Sequence, residues 1–448
     1  MPASDGGSTP GAPRCKDGAG EGQAGQAEAP PGRRVRRSIP GVAGGALALI
    51  ATLACGLAAR SEVIRVGRDA PSPAAAVASA GPGDVVELPA GSWPGPLHLD
   101  KTLTLRGRGG SLDGGGTGTV LTIDAPGAIV EGVELMNGGK DVGAPDACIF
   151  VTKRATGAVI RENRMRGCAF GVWVHETEGV HLLANDIEGH EGLRVADRGN
   201  GIHLFDASEL VLRGNRISHA RDGIYVSATE DSLIEDNLTE KQRFGVHYMY
   251  SYRNTLRGNT SRDNVIGMAL MESHHLVVED NEALRNERNG ILFRDVQFSE
   301  IRGNRLEDNG NGMFFFSSTE NTIRENRIAG NDVGLKVWAG TRRNLIEENR
   351  ILGNRQQVFY VGGEDQVWGG TRRGNYWGDY VGWDGDGVGD RPHRVDSFKA
   401  NLTYRFPAAI LLLHSPALEM LSHLADRLPL LQTPTVVDLA PLLGEVPR

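Results

Sequence analysis

A histidine and two methionines in the middle of the chain form the residue pattern best suited to metal chemistry. His247 and Met249 are two positions apart, and Met271 follows Met249 after 22 residues. One imidazole and two thioethers make a soft, uncharged ligand set that suits Cu(I) far better than Zn²⁺, Mg²⁺ or Ca²⁺. The pattern predicts a Cu(I) site if the fold brings the three side chains together. The alternative is that they are ordinary packing residues.

A repeat of about 22 residues supplies the elements that would position them. Glycines and asparagines both recur at steps of 22 or 23 residues, and each unit carries short apolar runs broken by Gly and Asn. Such runs are typical of brief strands joined by tight turns. The glycines are Gly201, Gly223, Gly245, Gly267, Gly290, Gly312 and Gly334. The asparagines are Asn215, Asn237, Asn259, Asn281, Asn304, Asn326 and Asn349, with Asn163 and Asn185 upstream.

A unit of this size cannot bury its apolar face alone and must stack on its neighbours, with equivalent strands pairing in parallel about 4.8 Å apart. The sequence therefore predicts an all-β fold, a right-handed parallel β-helix, in which the recurrent asparagines form an internal hydrogen-bonded ladder. An α-helical repeat of similar length is excluded, because Gly and Asn interrupt every stretch of helical period.

The strand register separates the inside of this β-helix from the outside. Counted from each strand glycine, positions +1 and +3 are uniformly apolar and point inward, so +2 and +4 point outward. The outward positions carry aromatic, His and Met residues, and exposed apolar surface of this kind indicates binding. The alternative is a second core covered by another segment. The predicted partner-binding residues of this outward strip are Trp173, Phe205, Tyr225, Phe314, Phe316 and Trp338.

On the outward strip, His247 and Met249 are expected about 6.5 Å apart along one strand, and Met271 about 4.8 Å from Met249 on the next coil. His203 and His175 lie further along the same columns. They are candidates for additional metal ligands.

Residues 1–60 read as a disordered leader followed by an export signal. An arginine cluster at 33–37 precedes an almost uncharged run from Ile39 to Ala59, and small residues end that run. Cleavage near Ala59 is the first interpretation, and an uncleaved anchor or lipid attachment through Cys55 are the alternatives. We expect an exported protein, periplasmic or otherwise outside the cytoplasm. The net charge of −8 argues against non-specific nucleic-acid binding.

Two cysteines, Cys148 and Cys168, remain in the exported part. An oxidising compartment would permit a disulfide between them. The predicted register places them at different points of the turn, which argues against pairing.

The rest of the chain divides into segments that differ in sequence pattern. Residues 61–140 are irregular first coils, with a helix from Pro73 to Ala80 covering the open end. Residues 141–360 are the regular repeats. Residues 361–400 form a closing loop region, and residues 401–448 form a helical docking tail, which either plugs the solenoid or binds a partner.

The closing region contains a Gly-rich loop with Asp384, Asp386 and Asp390. These carboxylates could hold Ca²⁺. The alternative is a rigid Asx-turn loop, with Trp377 and Trp383 capping the apolar interior.

Four segments of the chain resemble the NosD-type accessory proteins for copper-centre maturation of nitrous-oxide reductase. They are Gly245–Ser251, Gly267–Ser273, Gly374–Asp390 and Phe406–Leu418. The resemblance spans residues 62–448 and implies an exported right-handed parallel β-helix working with an ABC-type ATPase and permease, with membrane contact through the permease. It implies supply of copper to nitrous-oxide reductase, or help in assembling its copper–sulfur centre. It carries copper ligands onto His247, Met249 and Met271 only.

The chief rival interpretation is a carbohydrate-active β-helix: a polysaccharide lyase, hydrolase or epimerase. That chemistry needs paired carboxylates, or a Ca²⁺ cluster with a basic residue, on the exposed strip. We expect no two carboxylates in adjacent coils of one column, and therefore no enzyme. The scattered candidates are Glu176, Asp206, Glu272, Arg294 and Lys336. A plain scaffold or adhesin is a third interpretation, which leaves the His–Met group unexplained.

Overall fold

The computed structural model describes residues 61–338, 340–370, 373–383, 385–395, 402, 406–412, 415–427 and 434–444. The described residues belong to one compact unit, Ala59–Arg448. The leader and export signal predicted for residues 1–60 lie outside the described residues, as does Asp384.

The chain folds as an all-β parallel solenoid of about 14 turns. Equivalent strands pair in parallel with those of the next coil, which confirms the prediction from the repeat. One strand of each coil enters a 12-stranded sheet, the site sheet. Its strands are Leu97–Leu99, Leu121–Ile123, Ala147–Val151, Phe170–His175, Ile202–Ser208, Asp222–Glu230, Phe244–Met249, Ile266–Met271, Asn289–Arg294, Asn311–Phe316, Val333–Val337 and Gln356–Tyr360.

The other strands of each coil belong to a 24-stranded sheet that closes the solenoid. They are Val63–Arg65, Val85–Pro94, Thr104–Asp113, Ile129–Glu131, Glu134–Met136, Val159–Arg161, Arg164–Arg166, His181–Leu183, Asp186–Glu188, Val211–Arg213, Arg216–Ser218, Leu233–Glu235, Leu238–Glu240, Thr255–Arg257, Thr260–Arg262, Val277–Glu279, Glu282–Leu284, Glu300–Arg302, Arg305–Glu307, Thr322–Arg324, Arg327–Ala329, Leu345–Glu347, Arg350–Leu352 and Tyr376–Trp377.

The core lies where the register predicts it. In the coil of Gly245, the inward residues Val246 and Tyr248 are completely buried, and so are their equivalents Met268 and Leu270 one coil later. Of the outward residues on the same strands, Met249 and Met271 keep part of their surface, whereas His247 is 8% exposed and Ala269 is completely buried. The inward columns are therefore confirmed, and the +2 column is covered at these two coils.

A ladder of buried asparagines runs through the interior along the stacking direction, as predicted. Asn237 shows the pattern: its Nδ2 donates to Oδ1 of Asn259 at 3.0 Å and to the carbonyl of Leu212 at 2.9 Å. Its own Oδ1 accepts from the backbone N–H and the side chain of Asn215. Each side chain thus satisfies backbone groups at a tight turn and joins two coils, where an unmet polar group would cost about 1–3 kcal/mol.

The ladder ends on a residue from the far C-terminus. The buried carboxylate of Asp438 accepts from the backbone N–H and the amide of Asn375, at 2.7 and 2.9 Å, and from Trp377 Nε1 at 2.8 Å. Strand Val436–Asp438 pairs with Gln366–Trp368 and His393–Arg394. The end of the predicted helical tail therefore returns to the solenoid and caps it.

The two cysteines form a disulfide, with Cα atoms 5.5 Å apart, so the expectation against pairing was wrong. Phe170 pairs with Ala147 in the site sheet. Cys148 follows Ala147, and Cys168 precedes Phe170 by two residues in the turn. The two sulfurs therefore meet at the same corner of neighbouring coils.

The predicted N-terminal helix forms over Pro73–Ser79 and packs its buried Ala76 and Val77 against the first coils. Ser72 caps it by accepting a hydrogen bond from the N–H of Ala75. At its other end Lys101 donates to three backbone carbonyls. Further 3₁₀ or α-helical segments among the described residues are Val195–Asp197, Pro407–Leu412 and Pro416–Arg427.

The C-terminal tail contains the helical segments Pro407–Leu412 and Pro416–Arg427, and their apolar residues are largely exposed. Leu411 is 86% exposed, and Met420, Leu421 and Leu424 also face outward, whereas Leu418 is buried. None of the described helices combines the length and the apolar character needed to cross a membrane. The predicted tryptophan cap is half right: Trp377 is buried in the core, but Trp383 is 81% exposed.

The strand glycines carry a testable stability prediction. A Cβ on Gly245 would lie 2.6 Å from the carbonyl oxygen of Gly267 and closer still to the Ser261 hydroxyl. We expect Gly245→Ala to lower the free energy of unfolding by about 1–3 kcal/mol, because the coils cannot separate to admit it. Chemical denaturation followed by circular dichroism measures this.

Gly192→Ala is the matched control, since a Cβ there meets open space. Equal denaturation midpoints for the two variants would contradict the close-stacking explanation.

Candidate functional site

The outward strip is a continuous run of rings along the site sheet. The ring of Trp173 stacks on His203 with centroids 4.4 Å apart. His203 lies 4.9 Å from Tyr225, which lies 5.1 Å from His247. The residues of the predicted partner-binding surface keep part of their area exposed, and Phe205, on the same strand as His203, is 39% exposed. The strip is thus an accessible surface with a partly covered end.

His247 is held by a buried carboxylate that the sequence reading did not identify. Its Nδ1 lies 2.9 Å from Oδ2 of Asp222, and Arg243 donates two hydrogen bonds to the same carboxylate, at 2.8 and 2.6 Å. Because a carboxylate accepts, Nδ1 carries the hydrogen and Nε2 bears the free lone pair. Nε2 is buried and has no hydrogen-bond partner among the described residues.

The neighbours of Asp222 favour the ionised form of its carboxyl group. Burial raises the pKa of this carboxyl, but the hydrogen bonds from His247 and Arg243 outweigh burial, so the pKa lies below its ordinary value. A carboxylate that fixes the tautomer and orientation of an imidazole is the usual partner of a metal-binding histidine.

The structure brings the two predicted thioether ligands together. Met249 and Met271 are register partners on adjacent strands, and both are partly exposed. His247 lies on the same face of the Met249 strand, but its hydrogen bond to Asp222 turns the ring towards the start of the strand. The three residues are neighbours on one face of the site sheet, and Met249 and Met271 lie at the ends of their strands.

The additional candidates His203 and His175 lie two and three coils from His247. Nδ1 of His203 lies 3.1 Å from the amide nitrogen of Asn200. Burial, together with the nearby His175, lowers the pKa of His203 to about 4, so its ring is neutral at pH 7. Each coil adds about 4.8 Å, so neither ring can join His247 on one ion as the side chains stand.

The predicted calcium loop is only partly described. Oδ1 of Asp386 accepts from the N–H of Val388, which is an Asx-turn contact, and Oδ1 of Asp390 accepts from the N–H of Trp383. Across the described part of the chain, no three His, Cys, Asp or Glu side chains cluster as metal ligands. The calcium site stays a prediction.

Asp222 and Arg243 were missed because the sequence reading numbered each strand from its glycine onward. A signal was present. Among the residues directly before the strand glycines from 171 to 334, Asp222 is the sole charged one. A charge at a position that is otherwise apolar or Asn predicts a buried partner.

The expectation that no carboxylates pair in adjacent coils was wrong. His175 and Phe205 are register partners on adjacent strands, and the carboxylates Glu176 and Asp206 directly follow them. Met271 and Arg294 are likewise register partners, and Glu272 and Asp295 directly follow them. The sequence columns stopped at +4 and omitted this turn position. Glu272 and Asp295 line a shallow cleft of about 480 Å³ together with Tyr252 and His274.

Residues 183–382 match the family model described as "Periplasmic copper-binding protein (NosD)". The chain is 42% identical over 373 residues to the "Probable ABC transporter binding protein NosD" of Pseudomonas aeruginosa, covering 80% of this chain and 87% of that one. It is 37% identical over 374 residues to the protein of the same name from Stutzerimonas stutzeri, covering 80% and 86%.

Among solved structures, the A-module of the mannuronan C-5 epimerase AlgE4 of Azotobacter vinelandii matches 65% of this chain and 85% of its own. The identity is 16% and the TM-score 0.40. We draw nothing about activity from a similarity at this level.

The buried triad of His247, Asp222 and Arg243 generates a stability prediction. Asp222→Asn removes the buried carboxylate that accepts hydrogen bonds from the Arg243 guanidinium and from His247 Nδ1, and we expect a loss of about 3 kcal/mol at pH 7. The folded pKa of Asp222 is lowered, so this stabilisation is present above the unfolded value and lost as the pH falls below about 4. Chemical denaturation at pH 7 and at pH 3 measures the difference.

Asp186→Asn is the control, because Asp186 makes an exposed ion pair with Arg164 and should cost less than about 1 kcal/mol. A wild-type-like Asp222→Asn at pH 7, or a deficit that does not shrink in acid, would contradict the assignment.

Proposed function

Because this chain belongs to the NosD family of periplasmic copper-binding proteins, we propose that it is an exported accessory protein that receives Cu(I) on its outward strip. With an ABC-type ATPase and permease, it supports assembly of the copper centres of nitrous-oxide reductase. The observation that carries the proposal is the register pairing of Met249 with Met271 beside His247, whose Nε2 is free.

The donor set fits copper as cargo. His247 offers Nε2 with its lone pair, because Asp222 accepts the hydrogen on Nδ1. Met249 and Met271 offer thioether sulfurs on a partly exposed surface. Thioether and imidazole ligands suit Cu(I), and the absence of a thiolate from this trio makes the site weak enough to release the ion to a partner.

The proposed transporter contact rests on the C-terminal helical segments. Leu411, Met420, Leu421 and Leu424 expose their apolar side chains there, and such patches mark interaction sites. The relatives carry the name "Probable ABC transporter binding protein". In the proposal the helical segments bind the permease and the outward strip meets the reductase. The protein does not act on nucleic acid and reaches its compartment through the signal in residues 1–60.

We propose further that the protein is not an enzyme. The observation that favours the carbohydrate-active alternative is the pairing of carboxylates in adjacent coils, Glu176 with Asp206 and Glu272 with Asp295. His274 and Tyr252 lie beside the second pair. Incubation with uronate polymers tests this alternative. New reducing ends or unsaturated products that disappear in Glu272→Gln would establish the alternative, and their absence is the expected result.

The copper proposal predicts the outcome of an anaerobic Cu(I) titration against a chromogenic chelator. We expect Met249→Ala/Met271→Ala to lose one copper equivalent or to bind it at least about tenfold more weakly, because both sulfur ligands are gone. His247→Ala should weaken the same equivalent.

Met420→Ala is the control, since it removes an exposed thioether on the C-terminal helix and should bind as the wild type does. Unchanged stoichiometry and affinity in the double variant would remove the proposed site.

A further inference from the structure

The covered end of the outward strip contains a cleft of about 360 Å³, whose lining includes His247 but neither thioether of the copper proposal. It spans four coils of the site sheet, from the strand Phe170–His175 to the strand Phe244–Met249. Its volume lies in the range of small-molecule sites in proteins. The lining residues that matter here are Trp173, His203, Tyr225, His247, Arg198 and Arg221.

Two lengthened coils build the walls of this cleft. Glu134 pairs with Arg164 and Asp186 with Arg216, which makes both coils 30 residues long where the regular ones take 22 or 23. The extra residues fall in the turns before the site sheet and supply Val142, Arg198 and Asn200 to the cleft. The Cys148–Cys168 disulfide fixes the short turn that lies between these two turns. The regular coils stack without such turns, so solenoid packing does not explain them.

The cleft is positively charged in a chain whose net charge is −8. Arg198 is only 8% exposed, and its guanidinium donates to the backbone carbonyls of Leu193, Glu191 and His219. Neither Arg198 nor Arg221 has a carboxylate partner within the described ranges. The one carboxylate in the lining, Asp222, is already bound by Arg243 and His247. Two guanidinium charges are therefore left without a counter-ion.

The cleft also contains polar atoms with no partner in the described parts of the chain. Trp173 Nε1 is a buried donor without an acceptor, and Nε2 of His247 is a buried acceptor without a donor. His247 is only 8% exposed. A buried polar group left unsatisfied costs about 1–3 kcal/mol, and native proteins usually satisfy such groups or use them for a ligand. The rings of Trp173, His203 and Tyr225 line the same cleft, with centroids 4.4 and 4.9 Å apart along the run.

We propose that this cleft binds a small organic carboxylate with a ring-shaped body and a hydroxyl group. Arg221 receives the carboxylate, for which a planar guanidinium has matching geometry. The ring stacks against the aromatic faces. Trp173 Nε1 donates to a ligand oxygen, and Nε2 of His247 accepts from the hydroxyl.

This site shares His247 with the copper proposal, but binding needs no metal and neither thioether, so chelator-treated protein and the Met249→Ala/Met271→Ala variant test the two proposals separately. The test is isothermal titration of the full-length, chelator-treated protein with 4-hydroxybenzoate and with glucuronate. Methyl 4-hydroxybenzoate and methyl glucoside are the uncharged counterparts. The two carboxylates distinguish an aromatic body from a sugar body.

At least one carboxylate is expected to bind with a Kd below about 1 mM, and at least about tenfold tighter than its uncharged counterpart. Arg221→Gln should weaken that binding at least about tenfold, since it removes the charge-assisted contact. Arg216→Gln, an exposed arginine on the other sheet, and Met249→Ala/Met271→Ala should bind as the wild type does. Arg221→Gln should also keep the wild-type denaturation midpoint, because the Arg221 side chain makes no hydrogen bond or ion pair with the described residues.

The proposal would be overturned if neither carboxylate bound at a ligand concentration about 10-fold above the expected Kd. Equal affinity for a carboxylate and its uncharged counterpart, or wild-type affinity in Arg221→Gln, would also overturn it. Loss of carboxylate binding in the Met249→Ala/Met271→Ala variant would also contradict it, because binding would then depend on the proposed copper ligands.

Discussion

The structure depends on the in-register stacking of parallel coils, and the buried asparagine ladder enforces that register. Each ladder side chain bonds to the equivalent amide of the next coil and to backbone groups of the preceding coil, as Asn237 does with Asn259 and with Leu212 and Asn215. A slip by one residue would break these bonds throughout the column and expose the inward residues. The strand glycines set the spacing, because a Cβ at Gly245 or Gly267 would meet the next backbone.

This constraint explains why chemistry collects on one outward face. The interior and the ladder fix the +1 and +3 positions, but the +2 and +4 positions of the site sheet are free of the packing requirement. Residues at one position in successive coils are then neighbours about 4.8 Å apart. The same geometry that aligns Met249 with Met271 aligns Trp173, His203 and Tyr225 into a stacked run.

The sequence was sufficient to predict what the period controls: the solenoid, the ladder, the inward columns and the two neighbouring thioethers. It was not sufficient where residues far apart in the repeat meet. The Cys148–Cys168 bond depends on a corner that a strand register does not describe. Asp438 reaches the ladder from 63 residues beyond Asn375. Asp222 directly precedes the strand glycine Gly223, whereas His247 lies two residues after the next strand glycine, Gly245. The two residues belong to different columns of adjacent coils, so neither column alone predicts their contact.

The central claim is that copper is held on the outward strip by His247, Met249 and Met271. X-ray absorption at the copper K-edge of the Cu(I)-loaded protein tests it most directly, because it reports the ligand atoms themselves. The account predicts two sulfur scatterers and one imidazole around the ion. A shell made of nitrogen and oxygen alone would contradict it.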